Sequence, residues 1–275
     1  MTQAALLLFV TLLTLVPGVA SAYIPPSEFI VKGVTQKRSA LKSLRLRGVV
    51  LGVGSDGALT GARFTEETLY DGLSGTIRSY ALDEQNAELY RMERVINRDG
   101  SARDSAQLVS SVLFETRAPL MVAQLRRWEL PVKTEDELLS LADEAERRAA
   151  EKSFFGRQKL AGGLQVSWVL GEKSGNQLWI EKDTFLPSRI LLSSGAKVDV
   201  QLESYRVSRE VPLPRLITVS EGREPVLREE IQELTVNPTE LADPRRGSAL
   251  GFTEAGESAD GDVRDLIRKY YKLVR

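Results

Sequence analysis

Between residues 197 and 203 the side chains alternate without a break, with Val198, Val200 and Leu202 on one side and Asp199, Gln201 and Glu203 on the other. A strand repeats every two residues, so this pattern calls for a sheet with one apolar face and one wet face. Antiparallel sheets allow that arrangement, whereas parallel sheets are buried on both faces. The approach to it, residues 177–202, has the same character. Apolar, β-favouring runs at 178–180 and 190–192 are separated by polar residues and by Pro187. Proline cannot donate to a ladder, which places Pro187 at a strand start or an edge. Ser193, Ser194 and Gly195 then supply a reversal. What covers the apolar face of such a sheet bears directly on function.

Further strands are expected on both sides of a helical interruption. Residues 44–53 and 58–66 flank Ser55, Asp56 and Gly57, which read as a hairpin turn. Residues 76–82 and 88–96 continue the meander, and 97–100 (Asn-Arg-Asp-Gly) mark another reversal. The glycine-rich run at 52–57 lacks the Gly-Lys-Ser/Thr of a phosphate loop and is followed by no helix pattern, so a turn is its reading. After the interruption, Leu164, Val166, Trp168 and Leu170 alternate with Gln165 and Ser167, and residues 216–219 and 226–236 form a final hairpin around Glu221, Gly222 and Arg223. Turns recurring at this spacing suit an antiparallel sandwich or barrel, split in sequence but single in space.

The helices are expected in three places. Residues 27–41 open with Pro25, Pro26 and a capping Ser27, and Ile30, Val34, Arg38 and Leu41 share a face, with Gly33 weakening the helix. Residues 104–150 carry a stripe of Leu120, Met121, Gln124, Leu125 and Trp128, a break at Pro131, and a capping box at Thr134 to Glu137 that opens a further helix with Leu138, Leu141, Ala142, Ala145 and Ala149 on one side. These stripes are ordinary core whose role is to plug the apolar face of the sheet. Residues 243–262, rich in Gly, Ser, Asp and Glu, read as a linker. Beyond them, 263–275 form an amphipathic helix with Val263, Leu266, Ile267, Tyr270 and Val274 in a stripe flanked by Arg264, Arg268, Lys269 and Lys272. Such a tail binds a membrane or an envelope protein partner, or docks back on its own domain.

Residues 1–22 read as a cleaved signal peptide: an apolar run of about a dozen residues, a Pro17-Gly18 breaker and a small-x-small site ending at Ala22. The run is short for a membrane span, and the mature chain is expected to start at Tyr23 and to be soluble and periplasmic. The chain has no cysteine, which removes disulfides, thiolate chemistry and a lipid-modified N-terminus. It has no histidine, which removes the usual general base and the commonest metal ligand. The net charge of −1 makes no bulk case for nucleic acid. An enzyme needing only a carboxylate pair, as glycosidases do, stays formally open. With 38 acidic residues, however, pairs arise by number alone and mark no site. No catalytic residue, cofactor or metal is therefore expected, and the protein is read as non-enzymatic.

The stretch Leu178-Trp-Ile-Glu-Lys-Asp-Thr-Phe-Leu-Pro-Ser-Arg-Ile190, the later Glu233-Leu-Thr-Val-Asn-Pro238 and the helix running into a first strand resemble the periplasmic lipoprotein-carrier family. Together they cover about residues 26–252. The resemblance implies an α+β fold: a curved antiparallel sheet (an unclosed β-barrel) with helices packed in its concave face. It also implies binding of a lipid or of lipoprotein acyl chains as a carrier or sorting factor of the cell envelope. A regulatory or protein-interaction module on the same fold is the alternative. The long helical insert, the linker and the C-terminal helix depart from the carriers, and no functional residue of the family maps onto a position here. On the alternation alone, the lining of the apolar concavity is expected to be Val166, Trp168, Leu178, Ile180, Ile190, Leu192, Val198, Val200 and Leu202.

Overall fold

The computed structural model describes residues 25–96, 107–141, 143, 145–147, 153–160, 163–193, 197–241, 243 and 250–275. The expected leader 1–22, the reversal at 97–100, Ala142, Ala149, Ser194, Gly195 and residues 244–249 of the expected linker lie outside these. So do the side chains of Leu164 and Gln165.

Among the described residues, twelve strands form one antiparallel sheet. In chain order its members are β1 (Ser43–Val53), β2 (Leu59–Asp71), β3 (Thr76–Leu82), β4 (Glu88–Val95), β5 (Ser153–Leu160), β6 (Gly163–Gly171), β7 (Gln177–Glu181), β8 (Pro187–Leu192), β9 (Val198–Glu203), β12 (Leu216–Glu221), β13 (Glu224–Val236) and β14 (Gly251–Phe252). Strands β10 (Arg206–Ser208) and β11 (Val211–Leu213) make a separate two-stranded ribbon. The spatial order is β14-β4-β3-β2-β1-β13-β12-β9-β8-β7-β6-β5. The sheet therefore has two edges and does not close, and the pairing of β1 with β13 joins the halves that the helical insert separates in sequence. The tight hairpins behave as their residues require: Gly57 and Gly222 both take positive φ, which glycine alone adopts without cost. Pro187 opens β8 at the position where no ladder donor is needed.

Among the described residues, six helices accompany the sheet. They are α1 (Ser27–Gln36), α2 (Leu108–Phe114), α3 (Ala118–Arg127), α4 (Glu135–Leu139), α5 (Glu254–Glu257) and α6 (Gly261–Leu273). The buried apolar residues of α1, α2, α3 and α6 form one contiguous core with the sheet, with Val31, Val112, Leu125 and Ile267 in the same cluster as Leu46, Ile180, Val200 and Val219. A sheet of this width rolls under its own twist, and the helices fill the hollow. The structure is thus an α+β fold with an unclosed, curved antiparallel sheet.

Several local expectations are corrected. Ser27 does not cap α1: Pro26 holds that position, and the Ser27 hydroxyl instead accepts from the Lys133 amide (3.0 Å) and donates to its carbonyl (3.2 Å). The helix stops at Gln36 rather than 41, because the chain must turn into β1. Asn237 holds that turn, its amide donating to the Ala40 carbonyl (2.7 Å) and its oxygen accepting from the amides of Lys42 and Ser43. The capping box does form, with Thr134 Oγ1 accepting from the Glu137 amide and the Glu137 carboxylate from the Thr134 amide. From residue 250 onward the expected linker is part of the fold. There β14 pairs with β4, Phe252 packs edge-on against Tyr90 (4.9 Å), and Thr253 caps α5.

Gly33, which weakens α1 as a helix, is explained by packing: a Cβ added there would lie 2.1 Å from the Phe185 ring. In an unhindered helix Gly33→Ala would stabilise by about 1 kcal/mol. Here the same change is expected to cost about 1–3 kcal/mol through overpacking. Urea unfolding measures it, and the loss should largely vanish in a Phe185→Leu background.

Candidate functional site

Strand register decides which side chains meet. Opposed residues in a ladder share a face. Trp168 is opposite Ile180 and Leu170 opposite Leu178; Leu178 is opposite Ile190, Ile190 opposite Val200, and Leu192 opposite Val198. The row continues through Val200 opposite Val219 and Leu202 opposite Ile217. The even-numbered parity of the alternation therefore survives each turn from β6 to β9, and passes to the odd-numbered Ile217 and Val219 in β12. Trp168, Leu178, Ile180, Ile190, Val198, Val200 and Leu202 are all buried in the shared core, and Leu192 is half-buried against it.

Val166 departs from the group. It shares the phase of Trp168 but is 39% exposed, because β7 pairs with β6 only from Ser167 onward and leaves Val166 at an uncovered rim. On the outer face Asp199, Gln201 and Glu203 are half-buried. Asp199 pairs with Arg189 there, and the Arg189 guanidinium lies over the Trp179 ring (5.4 Å). Ser167, expected on the wet face, is instead fully buried.

Helix α1 roofs one end of the row. Phe185, between β7 and β8, contacts Trp168 (5.0 Å between ring centroids) and Phe29 of α1 (5.9 Å). At the other end α6 covers β2, with Phe64 packed edge-on against Tyr270 (5.5 Å) and parallel to Tyr271 (6.4 Å). The C-terminal helix thus docks on its own domain, with Leu266, Ile267, Tyr270 and Val274 buried and Arg268 and Lys272 outward. Lys269 pairs with Glu221 of β12 (3.1 Å).

The same face contains a polar centre that the alternation did not single out. In β2 the inward positions are Phe64, Glu66, Thr68 and Tyr70, and in β13 they are Leu227, Glu229 and Ile231. Glu66 and Glu229 are fully buried, and Arg275 bridges them, Nε to Glu66 Oε1 at 3.0 Å and Nη2 to Glu229 Oε1 at 2.7 Å. The Arg275 carbonyl accepts from the Gln107 amide and from Arg94, both at 3.0 Å, so the centre also ties α6 to α2 and β4. Burial raises the Glu229 carboxyl to about 7, against the opposing pull of Arg275. The carboxylates in turn outweigh burial at Arg275 and hold its guanidinium well above the usual range. A charge standing at an apolar phase of a strand was the one sequence signal available for Glu66 and Glu229.

Among the described residues no group of three or more His, Cys, Asp or Glu is placed to hold a metal ion. No helix among them is long and apolar enough to cross a membrane.

The class defined by these features is an open antiparallel sheet whose apolar hollow is occupied by short helices. No protein-family model and no curated protein matches the sequence. In fold the chain is similar to a LolA superfamily protein from Nitrosomonas europaea, at a TM-score of 0.42 and 10% identity over 78% of this chain and 95% of that one. It is also similar to a DUF1329 family protein from Desulfovibrio piger, at a TM-score of 0.36 and 10% identity over 78% of this chain and 94% of that one. Both likenesses are of fold alone.

Proposed function

We propose that this protein is exported to the periplasm and binds a lipid, or the acyl chains of a lipoprotein, in the hollow of the sheet, acting as a non-enzymatic carrier or sorting factor of the cell envelope. The observation that carries the reading is the continuous apolar row from Trp168 to Val219, roofed by short helices rather than by a second sheet. Short helices that cover such a row can yield it to an acyl chain, which gains about 0.8 kcal/mol per buried methylene. The leader-like residues 1–22 support export. The outward charges of α6 offer a surface for an envelope protein partner.

Leu192→Ser tests this, because Leu192 lies on the same face yet is only half-buried. Its stability loss should stay near 1–2 kcal/mol. Affinity for a fluorescent fatty acid should fall by more than that loss explains, as read by probe titration beside thermal melting. The alternative is an interaction or regulatory module whose helical roof never lifts, and the anchoring of α6 through Arg275 favours it. A folded wild-type protein that takes up no lipid would decide for the module.

A further inference from the structure

Arg38 lies in the turn after α1 and is completely buried, at 0% exposure. Its Nη1 donates to the Val112 carbonyl of α2. Its Nε and Nη2 have no partner among the described residues, and no carboxylate among them pairs with it. The other arginines show what that edge of a guanidinium is for. Arg189 turns Nε and Nη2 to the two oxygens of Asp199, Arg117 does the same to Glu115, and Arg275 uses the pair for Glu66 and Glu229. At Arg38 the fork that fits two oxygens of one anion is the edge left open.

The surroundings are those of the apolar hollow. Val112 belongs to the same core as Ile190 and Leu202, and Tyr205 packs against it. Tyr205 is the one titratable group among the described residues that acts on Arg38, and its hydroxyl donates to the Pro187 carbonyl at 2.6 Å. Burial lowers the guanidinium to about 10, which leaves it charged at neutral pH. A fold selected for stability alone would carry an apolar side chain here, because a buried cation without a counter-charge is costly.

We infer that Arg38 is the anchor for the headgroup of an anionic amphiphile, a carboxylate or phosphate whose acyl chain lies along the apolar row. This rests on the acyl-binding reading above and adds the class of ligand to it. Two oxygens of the headgroup take Nε and Nη2, and the chain runs away from the turn over β8 and β9. A neutral amphiphile with the same chain gains the apolar contacts and leaves the fork unfilled.

The test uses the full, delipidated chain and displacement of a neutral fluorescent probe, N-phenyl-1-naphthylamine. Competitors are oleate, oleoyl lysophosphatidate, oleyl alcohol and inorganic phosphate. Oleate and the lysophosphatidate should bind at least about tenfold tighter than the alcohol, as charge-assisted hydrogen bonds in a buried site do. Arg38→Met should erase that difference while keeping the alcohol's affinity, and Arg38→Lys should retain part of it. Inorganic phosphate should not compete. Equal affinity of the wild type for oleate and oleyl alcohol overturns the inference and leaves the acyl-binding reading standing. Phosphate binding as tight as that of the amphiphiles also overturns it, in favour of a free-anion site. Failure of the wild type to bind any of the oleyl compounds overturns the acyl-binding reading, and this inference with it. The wild-type comparison decides even where a variant does not fold.

Discussion

Replacing Arg275 with Met is expected to cost about 3–5 kcal/mol of stability, because it strips the cation from two fully buried carboxylates. Removing the carboxylates as well, in Glu66→Gln/Glu229→Gln/Arg275→Met, should recover much of the loss, since the penalty lies in the unpaired charge and not in the missing contacts. The loss should also depend on pH. Glu229 is raised from 4.5 to about 7 in the folded protein. Between those values the folded state holds a proton that the unfolded chain has released, so this group lowers stability as pH climbs through that window. Arg275 opposes the rise, and without it the carboxyl moves higher still and the decline extends further. Urea unfolding at about pH 5.5 and about pH 8 should therefore show the larger difference between variant and parent at the higher pH. A difference of the same size at both would mean that Glu229 does not feel Arg275.

The second large effect separates the two faces of one strand. Leu202→Glu places a carboxylate in the core beside Ile217 and should cost about 4 kcal/mol or more, through the lost apolar contacts and the unpaired charge. Asp199→Asn, three residues away, breaks a partly exposed pair with Arg189 and should cost no more than about 1 kcal/mol. Denaturant midpoints of the two variants test the assignment, and similar losses would refute it, because a register error of one residue exchanges the faces wholesale.

Alternation made most of the sheet readable. Residues 76–82 coincide with β3, Pro187 opens β8, and the even-numbered apolar residues of β6 to β9 share a face because each turn between them preserves parity. The rim position of Val166 was not readable, since it depends on where a neighbouring strand ends. The burial of Ser167 was missed for a similar reason: polarity alone does not reveal what packs over the outer face. Gly33 reads as a weakness in a helix until the Phe185 ring is seen to occupy the space a side chain would need.

The sequence by itself therefore determined most of the longer strands, their apolar face and the amphipathic stripe of the C-terminal helix, because these follow from periodicities of two and 3.6 residues along a local stretch, whereas β5, β10, β11 and β14 were not read from it. Only the tertiary structure decided that β1 meets β13, that α6 folds back onto β2 rather than standing free, and that Arg275 reaches two glutamates from strands far apart in the chain. It alone also set Arg38, in the turn after α1, apart from the apolar Ile30, Val34 and Leu41 with which the helical period groups it, as a buried cation with an open fork. A charge's partners are a matter of distance in space, and no local pattern of residues encodes them.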